Sequence, residues 1–124
     1  MFEVNIKADF SAAHHLKEYN GQCSSQHGHN WEVEVSLRGP ETNALGILVD
    51  FRQVKSAVYE ILGQFDHHDL NTLPIFADKN PSSENLAKFF YETFSKKLNN
   101  EHFSVYQVCV SETPKTRACY RQEL

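Results

Sequence analysis

At 124 residues the chain is sized for one domain around a single core, and no linker or repeat divides residues 1–124. A formal charge of −4 with scattered lysines and arginines excludes the basic field that phosphate-backbone binding needs, so no nucleic-acid partner is expected. An alternating N-terminus with Glu3 near its start is neither signal peptide nor membrane span, which predicts a cytoplasmic protein. The odd count of three cysteines then predicts reduced thiols, with Cys109 and Cys119 in structural roles.

From Phe2 to Ala13 the even positions Phe2, Val4, Ile6, Ala8, Phe10 and Ala12 are apolar, while Glu3, Asn5, Lys7, Asp9 and Ser11 alternate with them. This is the period of a strand with one buried face. His14 continues the buried row and His15 falls on the other face. A polar loop from Lys17 to Gln26 carries Cys23 toward a second strand. There Trp31, Val33, Val35 and Leu37 take one parity, Glu32, Glu34, Ser36 and Arg38 take the other, and Gly39-Pro40 ends the run. His27 and His29 extend the apolar parity of that strand, so both imidazoles can reach one ion. A single histidine at a strand end is ordinarily a solvated polar residue, but three in phase with buried faces point to a metal site. Catalytic zinc is commonly held by three side chains with a fourth position open, and His14 is the best third ligand.

Asp50 is placed to cap a helix with Gln53 at the capping-box position, and Phe51, Val54, Val58, Ile61 and Phe65 form its apolar stripe. The segment Asp66-His67-His68-Asp69-Leu70-Asn71 is too rich in titratable groups for a plain connector and is a second place for chemistry. A second helix is capped by Ser82, with Glu84 at its positive end and Leu86, Phe90, Phe94 and Leu98 on its buried face. Two more strands follow, from Phe103 to Glu112 and from Arg117 to Gln122. In the first of these Tyr106, Val108 and Val110 share a parity that Glu112 continues, and a carboxylate on an apolar face is costly without a partner. The order is ββααββ: an α+β domain with a four-stranded antiparallel sheet and two helices on one face. Its open sheet edges call for covering or closure.

Several motifs together resemble the family of 6-pyruvoyltetrahydropterin and 6-carboxytetrahydropterin synthases, of the tunnelling fold, over essentially the whole chain. They are Phe10-Ser11-Ala12-Ala13-His14-His15-Leu16, Cys23 followed after three residues by His27-Gly28-His29, Val49-Asp50-Phe51, Asp66-His67-His68-Asp69-Leu70-Asn71, Asn80-Pro81-Ser82-Ser83-Glu84, Ser111-Glu112-Thr113 and Tyr120. The resemblance implies zinc on His14, His27 and His29, catalytic roles for Cys23, Asp66 and His67, and pterin anchoring by Glu112. It also implies closure of the sheet into a barrel by oligomerisation, as a homohexamer built from two trimers around a polar tunnel. Relatives commonly carry arginine where this protein has His15, and threonine where it has Ser82.

The implied substrate is 7,8-dihydroneopterin triphosphate, whose side-chain hydroxyls complete the zinc coordination. Cys23 as thiolate would remove a proton from a carbon of the substrate's side chain, and His67, oriented by Asp66, would relay protons. Three functions follow: 6-carboxytetrahydropterin synthase in queuosine and deazapurine biosynthesis, 6-pyruvoyltetrahydropterin synthase in tetrahydrobiopterin biosynthesis, or a zinc-stabilised pterin-binding protein without turnover. Cys23 disfavours the third, since binding alone needs no thiol there. The three-residue interval between Cys23 and His27 favours the first, the pyruvoyl-forming members having a longer one.

Overall fold

The computed structural model describes residues 1–17 and 25–122. Its centre is an antiparallel pair of strands, β1 (Phe2–His14) and β2 (His27–Gly39), in register along their whole length. The alternation read from the sequence sets the two faces. Ile6, Ala8, Phe10 and Ala12 of β1 and Trp31, Val33, Val35 and Leu37 of β2 are buried, whereas Phe2 is exposed at the strand's start. On the opposite face Glu3 pairs with Arg38 at 2.8 Å, Lys7 with Glu32 at 3.8 Å, and Ser36 Oγ donates to Asn5 Oδ1 at 2.6 Å. Gly39 closes β2 where a Cβ would come within 2.5 Å of the His102 carbonyl oxygen and of Leu48.

Both helices pack on the apolar face. The first, α1 (Phe51–Leu62), is capped by Asp50, whose carboxylate accepts from the Arg52 backbone N–H at 2.9 Å and also holds the Arg52 guanidinium. Val54, Ala57, Val58 and Leu62 form its buried face, and Phe51, assigned to that stripe by periodicity, is 58% exposed at the helix's first residue. The second, α2 (Ser83–Leu98), starts where Ser82 Oγ accepts from Asn85 N and buries Leu86, Ala87, Phe90, Phe94 and Leu98. Phe90 is the meeting point of the core, with ring centroids 5.0 Å from Phe65, 5.5 Å from Phe94 and 6.0 Å from Phe10.

The sheet has five strands, not the expected four, in the order β3-β1-β2-β4-β5, and is not wholly antiparallel. The additional strand, β3 (His68–Asp69), lies parallel to β1 opposite Ala12 and Ala13. Two residues are too few for any periodicity to announce; the segment is drawn there by Asp66, whose carboxylate accepts from Ser11 N at 2.9 Å, and by His67 N donating to the Ser11 carbonyl. The strands β4 (Ser104–Thr113) and β5 (Thr116–Tyr120) complete the sheet, which is open within a single protomer. A register shift between Ser36 and Leu37, opposite Gln107 and Val105, changes the parity of β4 midway. Val105, Val108 and Val110 therefore face the core, and Tyr106 lies on the polar face beneath the Arg38 guanidinium, 3.3 Å from its ring centroid.

Cys109 and Cys119 stand directly opposite each other on β4 and β5 and are joined by a disulfide. This corrects the expectation of reduced thiols: two facing strand positions hold the sulfurs within bonding reach, whatever the parity of the cysteine count. Alkylating the unfolded, unreduced protein should label one cysteine, and three after reduction. Replacing both Cys109 and Cys119 by serine should cost about 2–3 kcal/mol in denaturant unfolding, the scale expected for a loop of this length. Labelling of three cysteines without reductant would show the pair to be free.

Candidate metal centre

The β1/β2 register builds the site. His14 is paired with His27, and His29 with Ala12, so three imidazoles emerge on the apolar face at one end of the two longest strands. Trp31 is their floor: it packs edge-on against His14 at 4.8 Å and His29 at 5.6 Å, and its indole N–H donates to the Ala12 carbonyl at 3.2 Å. From β4, Glu112 continues the inward row of Val108 and Val110, as its parity predicts. Its Oε1 lies 2.5 Å from His14 Nε2, 3.0 Å from His29 Nε2 and 3.4 Å from His27 Nε2. The ligand atoms of these four residues all fall within 4.8 Å of one another.

The hydrogen bonds around the rings fix what the cluster can hold. His14 Nδ1 donates to the Pro81 carbonyl at 2.8 Å, and His27 Nδ1 donates to the Ser25 carbonyl at 2.7 Å. In the neutral rings this leaves both Nε2 atoms as lone pairs, facing each other 3.1 Å apart. His29 Nε2 is buried with no hydrogen-bond partner among the described residues, its approach to Glu112 being close but not aligned as a hydrogen bond. A single proton on His14 would satisfy only part of this arrangement of acceptors, whereas a divalent cation satisfies all of it. Imidazoles whose second nitrogen is held by a backbone carbonyl are the usual form of a metal ligand. The residues present therefore fit a divalent metal.

Electrostatics agree. Burial pushes the His29 imidazole below its ordinary range, against the pull of the Glu112 carboxylate. Burial pushes the Glu112 carboxyl up, but hydrogen bonding and charge from His14, the charge of His29 and a hydrogen bond from His27 together hold it below the usual range. A Glu112 that readily ionises and a His29 disposed to lose its proton both favour the binding of a cation.

Asp66 and His67 lie elsewhere, at the outer edge of β1. The Asp66 carboxylate is held below its usual range chiefly by the Ser11 backbone N–H, and its other oxygen is 3.1 Å from His67 Nδ1. His67 is 81% exposed at its side chain and has φ +61°, a left-handed conformation uncommon outside glycine. An open pocket lined by Ser11, Gly28, His29, Asn30, His67 and Asp69 is bordered by both His67 and His29. Cys23 lies outside the described residues. His68 is exposed, its Nδ1 donating to the Asp66 carbonyl at 2.8 Å, and His15 is held through its main chain by Asn71. The more enclosed cleft at the far end of the sheet, between Arg38, Tyr91, Phe103 and Tyr106, has no convergent set of ligands among the described residues. Sequence reasoning missed the Pro81 and Ser25 carbonyls, because a backbone acceptor carries no residue signature.

Known proteins resemble this chain over nearly its whole length. A family model described as 6-pyruvoyl tetrahydropterin synthase matches residues 3–123. The 6-carboxy-5,6,7,8-tetrahydropterin synthase of Bacillus subtilis is 35% identical, over 97% of this protein and 85% of its own length. The 6-pyruvoyl tetrahydrobiopterin synthase of Poecilia reticulata is 32% identical, over 92% and 86%. Among solved structures, 6-pyruvoyl tetrahydropterin synthase of Caenorhabditis elegans superposes with a TM-score of 0.86 at 27% identity, covering 98% of this protein and 96% of that one.

The purified protein should bind about one divalent metal ion per protomer, and His27→Ala should lose it; full metal content in that variant would remove His27 from the ligand set. Protons compete with metal for imidazole, and burial already disfavours protonated His29. Because the His29 imidazole is held below its ordinary range, affinity should stay level through neutral pH and fall only at pH below the ordinary imidazole value of about 6.5. Chelator competition across about pH 5–8 measures this, and affinity rising toward acid would contradict it.

Proposed function

The chain belongs to the 6-pyruvoyl tetrahydropterin synthase family, and on that premise we propose that it is a zinc-dependent 6-carboxy-5,6,7,8-tetrahydropterin synthase. The observation that carries the reading is the convergence of His14, His27 and His29 Nε2 atoms, two of them held as lone pairs by backbone carbonyls. A pure binding protein has no need of an open three-imidazole site with a thiol beside it in sequence. The substrate is 7,8-dihydroneopterin triphosphate, and the products are 6-carboxytetrahydropterin, acetaldehyde and triphosphate. Identity with the B. subtilis enzyme and the short interval from Cys23 to His27 support the carboxy-forming reaction over the pyruvoyl-forming one. That choice places the enzyme early in queuosine and other deazapurine biosynthesis, in the cytoplasm.

His14, His27 and His29 would hold zinc, which when bound would supply Lewis acidity toward substrate hydroxyls. Cys23, as thiolate, removes a C–H proton from that part of the substrate. His67, its Nδ1 beside the Asp66 carboxylate, has an Nε2 with no partner among the described residues and would take up and return protons there. Glu112 accepts two parallel N–H bonds from the amino-pyrimidine edge of the pterin, turning its oxygens from the histidines to do so. Elimination releases triphosphate, two hydrogens move from the substrate's side chain to the ring, and one water cleaves the carbon–carbon bond to leave carboxylate on the pterin and acetaldehyde in solution.

The assembly proposed is a homohexamer, two trimers with the sheets' polar faces around a tunnel. The ion pairs Glu3–Arg38, Lys7–Glu32 and Glu34–Arg117 would then line it. Light scattering at six times the 14.3 kDa protomer mass is the expected result.

Incubation with dihydroneopterin triphosphate should release acetaldehyde, trapped as a hydrazone, in step with 6-carboxytetrahydropterin. Stoichiometric 6-pyruvoyltetrahydropterin without aldehyde would assign the alternative reaction. Cys23→Ala should keep zinc and substrate binding and lose about 10²- to 10⁴-fold in turnover, the usual contribution of a general base. Glu112→Gln should weaken pterin binding, and an unchanged dissociation constant would reject the anchor.

A further inference from the structure

His14 is the most enclosed of the three histidines, 2% exposed, and its metal-facing lone pair exists because Nδ1 is committed to the Pro81 carbonyl. Proline has no N–H with which to anchor its own backbone, so something else must fix that carbonyl. The residue before it does so. Asn80 Oδ1 accepts from Lys17 N at 2.8 Å and Asn80 Nδ2 donates to the Lys17 carbonyl at 3.1 Å, while the Asn80 carbonyl accepts from Asn85 Nδ2 at 2.7 Å. On the other side of Pro81, Ser82 is held as the cap of α2.

These bonds close a ring. From His14 the backbone runs three residues to Lys17, crosses two hydrogen bonds to the Asn80 side chain, passes to Pro81, and returns through the Pro81 carbonyl to the His14 imidazole. A carboxamide offers the same donor and acceptor pair as a peptide unit, so Asn80 acts on Lys17 as a neighbouring strand would, beyond the end of β1. Asn71 makes the same two bonds to His15, at 2.9 and 3.1 Å, but does not bear on Pro81.

We infer that Asn80 is a positioning residue of the metal centre, which through the Pro81 carbonyl fixes the ring orientation and tautomer of His14. The inference rests on the metal-site reading above and adds to it a residue that touches neither metal nor substrate. Asn80→Asp keeps the acceptor for Lys17 N but loses the donor and sets an anionic oxygen against the Lys17 carbonyl. Asn80→Ala loses both bonds. Outer partners of metal-ligating histidines typically contribute about 10- to 100-fold in affinity.

The test reads the metal-free protein and the zinc-bound one separately. In long-range ¹H–¹⁵N spectra of metal-free protein at neutral pH, wild-type His14 should show Nδ1 protonated and Nε2 bare, and Asn80→Ala should show a mixture of the two tautomers. By competition with a chromophoric chelator, zinc affinity should fall about 10- to 100-fold in Asn80→Ala and by an intermediate amount in Asn80→Asp. Asn71→Ala is the control, expected to lower the melting temperature while leaving the His14 tautomer unchanged and zinc affinity within about 3-fold, well short of the loss an outer partner causes. A wild-type tautomer and affinity in Asn80→Ala would overturn the inference, as would equal losses in the two alanine variants. If Asn80→Ala does not fold, Asn80→Asp carries the same comparison. If wild-type protein binds no zinc, the metal reading fails, while the tautomer spectra still decide whether Asn80 sets His14.

Discussion

The register of β1 against β2 places His14 opposite His27 and leaves His29 opposite Ala12, and on it everything at the site depends. A slip of one residue would turn one strand's histidines to the opposite face of the sheet, away from those of the other. Both faces of the sheet select the observed pairing. On the apolar side Phe10 lies directly across from Trp31 with the rings stacked at 5.9 Å, and on the polar side Glu3 meets Arg38 and Asn5 meets Ser36. Each such pair is worth roughly 0.2–1 kcal/mol, small singly but all favouring one alignment. The site thus inherits its precision from the core beneath it: Trp31 is at once a core residue and the surface on which two imidazoles rest.

That inheritance explains what could be read in the sequence. Period-two alternation carries His14, His27, His29 and Glu112 to the same side because each extends an apolar row, and no long-range knowledge is needed to see it. Tyr106 marks where such reasoning stops. A bulge reverses parity without any residue that announces it, so Val105 enters the core where alternation assigned Tyr106, while Glu112, beyond the bulge, is read correctly from Val108 and Val110. The two-residue β3 and the carbonyl partners of the histidines share one property. Each is a meeting of segments far apart in sequence or of backbone atoms, and composition is silent about both.

β1 also joins two kinds of chemistry on one rigid element. Its side chain at His14 belongs to the metal cluster, and its backbone at Ser11 holds Asp66 and His67 at the outer edge. The two groups are therefore fixed with respect to the same strand yet differ in surroundings: one is enclosed among aromatic rings, the other faces solvent with its carboxylate held by a peptide N–H. Enclosure suits neutral imidazoles that bind a cation. Solvent access would suit the proton relay proposed for His67.

Gly28, between His27 and His29, has no neighbour among the described residues within 4 Å of where a Cβ would stand, and its φ is not in the left-handed region. No described residue demands that it be glycine, and glycine in a strand interior sacrifices side-chain packing. Position 28 is therefore a natural point of attachment for a spectroscopic reporter. A cysteine placed there, in a protein with the other reactive thiol removed, would carry a spin label or fluorophore between two residues of the cluster, on the opposite face of the sheet, without displacing any atom of the core.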